Sequence, residues 1–114
     1  MSMSLKMRKK WRPMLFYVIS LEGSDKVFVN KSQNPVTSVR HHFHRAYNEN
    51  RPDYSGDFYT WLRSRPQEDF TITYCTEMPE CIDRRAHLTT LPPDAVLPPV
   101  VTYEELYERL CEER

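Results

Sequence analysis

A chain of 114 residues has room for one domain with a modest core and not for two. At 39% hydrophobic and 12% aromatic it is globular rather than disordered, and no apolar run approaches the length of a transmembrane helix. The zero net charge conceals an asymmetry: residues 1–52 hold ten Lys/Arg against three Asp/Glu, and residues 53–114 hold six against thirteen. A basic half suits phosphate and an acidic half suits a basic protein partner, unless the two simply neutralise each other once folded.

Residues 1–13 read as a basic arm. Lys9, Lys10 and Arg12 are placed to track a nucleic-acid backbone, and Trp11 to stack on a base. The apolar run that follows is short and β-like, with no small-residue cleavage site after it, so the arm is not expected to be a signal peptide. Three cysteines, Cys75, Cys81 and Cys111, are an odd number without framework spacing, which fits a reduced, cytoplasmic setting away from membranes.

Residues 14–21 predict a strand: Leu15, Tyr17, Ile19 and Leu21 fall on one face, Met14, Phe16 and Val18 on the other. Two apolar faces mark a central strand covered on both sides. Residues 22–25 form a turn around Gly23, and residues 26–29 return as an antiparallel strand. Asn34 reads as an N-cap and Pro35 as the first helical residue of a helix running to Tyr47. Val36, Val39, Phe43, Ala46 and Tyr47 make its apolar stripe. The wheel sets Ser38, His41, His42 and Arg45 opposite, as a cationic outer face. Lys31 and Arg40 add to this basic side, so Lys31, Arg40, His41 and Arg45 are candidate phosphate contacts.

Residues 48–56 read as a loop, and a second helix over residues 58–64 buries Phe58, Trp61 and Leu62 before Pro66 ends it. Phe70, Ile72 and Tyr74 alternate with Thr71, Thr73 and Cys75 in a third strand. Residues 79–90 predict irregular chain, and the paired prolines of residues 91–100 a stiff extended connector. Thr102 caps the last helix and Glu105 closes a capping box. Tyr103, Leu106, Tyr107, Leu110 and Cys111 form its apolar stripe, and Glu104, Glu105 and Glu108 an acidic face fit for a basic protein partner. The expected architecture is α+β: a three-stranded antiparallel sheet flanked by helices, with an arm (1–13), a core (14–90) and a connector plus terminal helix packed on it (91–114).

No metal site is expected. Only His41 and His44 share a helix face, with no carboxylate or thiol at ligand spacing, and Cys75, Cys81 and His87 do not have finger spacing.

The order hairpin, capped helix, helix, strand resembles the GIY-YIG nuclease superfamily, such as the nuclease domains of intron-homing endonucleases. Leu15-Phe16-Tyr17 stands where that family has G-I-Y, and Phe28-Val29-Asn30 where it has Y-I-G. The Asn34-Pro35 helix start, the His42-Phe43 pair and residues 70–79 match as well. The resemblance implies metal-assisted phosphodiester hydrolysis with Mg²⁺ or Mn²⁺, a tyrosine base at Tyr17 and the helix histidine at His42. The pattern breaks elsewhere. The second tyrosine is Phe28, the motif glycine is Asn30, the helix arginine falls at Ser38, and no glutamate stands at the metal position, Glu108 arriving late. One missing electrostatic donor alone removes about 10²–10³ in rate. The expectation is therefore a non-catalytic binding module, without cofactor, acting on a protein partner or DNA. By analogy with where such scaffolds occur, it would be an inhibitory or accessory protein of a phage or mobile element. The alternative is an active divalent-metal nuclease with a rebuilt site.

Overall fold

The computed structural model describes residues 14–79, 82–83 and 85–113, the last without its side chain. Four strands, β1 (Leu15–Leu21), β2 (Lys26–Ser32), β3 (Phe70–Cys75) and β4 (Leu88–Thr90), form one antiparallel sheet in the order β3-β1-β2-β4. Three helices accompany it: α1 (Pro35–Ala46), α2 (Asp57–Arg63) and α3 (Tyr103–Glu113). The α+β class is as expected, but the sheet has four strands rather than three. β4 lies within the stretch read as irregular and pairs its three residues with Lys26, Val27 and Phe28.

The hairpin turns on Gly23, whose φ of +84° is a conformation that side-chain-bearing residues adopt at a cost of about 1 kcal/mol or more. The Ser24 amide donates to the Leu21 carbonyl at 3.0 Å and closes the turn. The register then sets Tyr17 between Asn30 and Tyr74, and Ile19 between Phe28 and Ile72. Because strand side chains alternate, these residues share one face. It packs on Val39, Phe43 and Ala46 of α1 and on Tyr59 and Leu62 of α2. The opposite face carries Val18, Val27 and Val29, covered by Met78 and Ile82 and, more loosely, by Leu91, Ala95 and Leu97. The two apolar faces of β1 thus have separate covers, one helical and one built from the proline-rich stretch.

α1 begins where expected, with Asn34 at the N-cap position and Pro35 buried at the first, although the Asn34 side chain makes no cap hydrogen bond. The Asn34 carbonyl accepts the Ser38 amide at 2.9 Å, and Ser32 Oγ accepts the Asn34 amide, which ties the helix start to the end of β2. α2 buries Leu62 as expected, but Tyr59 takes the place of Phe58 in the core, and Phe58 and Trp61 stay half-exposed. On α3, Thr102 Oγ1 accepts the Glu105 amide at 3.2 Å, Leu106 is buried, and Tyr103 meets Tyr74 of β3 edge-on. Cys111, counted in the apolar stripe, is exposed because the stripe is only about half covered. No described helix is long and apolar enough to cross a membrane.

Arg63 holds the far end of α1. Its Nη1 donates to the Ala46 carbonyl at 2.5 Å and its guanidinium lies 3.8 Å from the Tyr54 ring centre. One contact satisfies a carbonyl at the helix terminus, and the other pins the loop that leads to α2. Arg63→Ala is expected to cost about 1–2 kcal/mol in chemical denaturation. Arg63→Lys should recover less than half of that, because an ammonium cannot donate and stack in one plane.

Candidate functional site

Tyr17 and Asn30 face each other across β1 and β2, and α1 lays His42 over them. The hydroxyl of Tyr17 is 2.9 Å from His42 Nε2, and Asn30 Nδ2 donates to that hydroxyl at 3.3 Å. Asn30 Oδ1 accepts the Lys31 amide at 2.9 Å, which fixes the amide with its NH₂ toward Tyr17. With its oxygen already accepting, the hydroxyl of Tyr17 best donates its own proton to Nε2, and the imidazole proton then sits on Nδ1. That nitrogen is buried, with no hydrogen-bond partner among the described residues.

Burial, then the charge of Arg45 and then that of His41, pull the pKa of His42 down to about 4. Burial pushes the hydroxyl of Tyr17 upward, against the opposing pull of the Asn30 hydrogen bond. A tyrosine held protonated beside an imidazole this weakly basic is a fixed hydrogen-bonding wall at neutral pH and a poor general base.

Aromatic rings close the floor. Phe28 and Phe58 stack at 3.9 Å with planes 8° apart, and His42 meets both edge-on at 5.1 Å. Above them opens a cleft of about 410 Å³ walled by β2, His42, Asp53, Asp57, Phe58 and residues 86–88 leading into β4. Among the described residues no Lys or Arg lines it.

The wheel placed His42 on the outer face of α1, and that needs correcting. His42 lies half-buried against Phe28 and Phe58, because the buried arc of α1 reaches past Val39 and Phe43 toward the end of β2. Ser38 belongs to the same arc: its hydroxyl donates to Ser32 Oγ at 2.9 Å, so the position the resemblance gives to arginine fastens helix to sheet. Arg45 is half-buried, with its charge felt at His42, Tyr17 and Asp53. The outward face consists of Arg40, His41 and His44, all exposed.

Lys31 does not join them. It alternates onto the opposite face of the sheet, where its ammonium lies 5.6 Å from the Phe16 ring. Glu104, Glu105 and Glu108 are exposed on α3 as expected. Lys9, Lys10, Trp11 and Arg12 lie outside the described residues.

A divalent ion of the kind the resemblance implies takes carboxylate oxygens. The Asp53 carboxylate is already held by Arg51 at 3.0 and 3.2 Å, and Glu108 rides the exposed side of α3. Among the described residues no three His, Cys, Asp or Glu side chains gather closely enough to hold a metal. The described residues beside Tyr17 therefore do not fit such an ion.

Asp53, Asp57, Phe58 and His87 entered no sequence-based site. Asn30 was visible as a departure from a motif glycine, and the others meet only through the fold. Compared with protein-family models, with curated proteins and with solved structures, the chain matches none of them.

Proposed function

We propose that this chain is a non-catalytic, GIY-YIG-like binding module that contacts nucleic acid with its basic side. The observation that carries this reading is the hydrogen-bonded trio of Tyr17, His42 and Asn30, together with a separate Ser38 hydroxyl that is spent on Ser32. The hydroxyl that would have to activate water is instead committed to an imidazole with pKa about 4, and among the described residues no Lys or Arg lines the cleft to steady a pentavalent phosphate. Outside the cleft, Arg40 and His41 stand exposed on α1, on the chain half that also holds the basic residues of the arm.

The test has two parts. Plasmid and single-stranded DNA incubated with the protein in Mg²⁺ or Mn²⁺ should stay intact. DNA binding should weaken steeply with salt, and Arg40→Glu or Lys9→Glu should lower both the affinity and the salt slope, the latter by about 0.9 for each phosphate that is no longer neutralised. Binding indifferent to both substitutions turns attention to the acidic face of Glu104, Glu105 and Glu108 and a protein partner.

The second reading, a divalent-metal nuclease with a rebuilt site, is favoured by the 2.9 Å contact between Tyr17 and His42 at the family-matched positions. Cleavage that disappears in Tyr17→Phe and His42→Ala would establish it.

A further inference from the structure

The cleft over the Phe28–Phe58 stack has the wrong charge for the phosphate its fold position would suggest. Among the described residues its walls carry two carboxylates, Asp53 and Asp57, and the imidazoles of His42 and His87, the latter turned to Asp83 at 3.6 Å, but no Lys or Arg. Asp53 is paired with Arg51, whereas Asp57 is exposed and makes no hydrogen bond or ion pair among the described residues. His42 contributes no positive charge at neutral pH. Phe58, with one face against Phe28, keeps part of its ring open to the cleft.

We infer that this cleft receives a guanidinium group, held between the Asp57 carboxylate and the open part of the Phe58 ring, with Asn30 Oδ1 as a further acceptor. The chemistry selects that group over others. A guanidinium is planar and weakly hydrated, stacks on aromatic faces and donates in a fork that matches a carboxylate. An ammonium cannot stack flat, and an anion meets the like charge of Asp57, which no cation among the described residues offsets. Asn30 Oδ1 has a second lone pair after accepting the Lys31 amide. A volume of about 410 Å³ is within the range of small-ligand pockets. The inference rests on reading the cleft as a binding site rather than a catalytic one.

The group has two sources, a free small molecule or an arginine on a partner protein. Titrating ¹⁵N-labelled protein with agmatine and with a short arginine-containing peptide separates them. Saturable shifts at the amides of Asn30, His42, Asp57 and Phe58 are expected with both. Tighter binding of the peptide assigns the site to a protein partner, and equal or tighter binding of agmatine assigns it to a small molecule.

The same peptide with citrulline in place of arginine, which keeps shape and removes charge, should produce no shifts. This comparison needs no variant. Asp57→Asn, at an exposed position, should weaken binding by about tenfold or more. Inorganic phosphate or a dinucleotide shifting these amides, or citrulline binding as well as arginine, would overturn the inference. That failure would leave the reading beneath it standing so long as DNA stays uncut, whereas metal-dependent cleavage would overturn both.

Discussion

Acidification from about pH 7 to pH 4 is expected to remove about 2–3 kcal/mol of stability through His42 alone. Its pKa falls from 6.5 in the unfolded chain to about 4 in the folded protein, and each unit is worth about 1.4 kcal/mol before discounting for the partial exposure of the ring. The sign follows from proton counts. Between those two values the unfolded chain holds a proton on this ring that the folded protein does not, so stability rises with pH across the window. The term is fully present above pH 6.5, fades as pH drops, and is gone below about pH 4.

Physically, a protonated His42 would set a charge beside Arg45 and His41 in a ring-lined site and would break the acceptor role of Nε2 toward Tyr17. Urea midpoints measured across this range should fall for the native protein and stay nearly flat for His42→Gln, which has no proton to gain. The depressed carboxylates of Asp53 and Asp83, each gripped by an arginine two residues away, release their contributions at lower pH still. An equally steep slope in His42→Gln would remove His42 as the cause and with it the neutral Tyr17–His42 pair.

The parts of this fold that could be read from sequence are those fixed by short-range physics. Gly23 at the hairpin turn, Pro35 at the start of α1 and Thr102 ahead of α3 each solve a backbone problem within four residues, and each sits where expected. The two apolar faces of β1 correctly announced a strand covered on both sides. What covers the second face was not legible. Met78 and Ile82 are isolated apolar residues in an irregular stretch, with no periodicity to mark them as core.

β4 escaped for the same reason: three residues carry no pattern, and it is strand only because β2 offers an open edge. His42 was misplaced because the wheel knows a helix but not its neighbours. A ring that looks solvent-facing along α1 is enclosed once α2 brings Phe58 beside Phe28. The cleft follows the same rule, since Asp53 and Asp57 approach His42 from a loop and helix start that share no local signal with it.

Ile82 should therefore be far more sensitive than its setting in the chain suggests. Only 2% of it is exposed, and it packs with Val18, Val27, Val29 and Met78 on the sheet face away from the helices. Ile82→Ala is expected to cost about 2–4 kcal/mol, combining the forfeited transfer energy with the cavity left behind. Against a total of about 5–15 kcal/mol for a domain of this kind, that is a large fraction. Val96 supplies the internal control: it lies in the proline-rich stretch between Ala95 and Leu97 but is 79% exposed, so Val96→Ala should change the stability read from urea denaturation by less than about 0.5 kcal/mol.

Truncation after residue 77 removes the whole cover, β4 included, and bares three adjacent valines of a twisted sheet, which should yield aggregated or unfolded protein. The damage would extend to the cleft, because residues 86–88 that wall it are strung from the segment that Ile82 anchors. If Ile82→Ala and the truncated chain both kept native midpoints, the stretch following β3 would be an ornament rather than the second layer of the core. The cleft would then have to stand on β2, α1 and α2 alone.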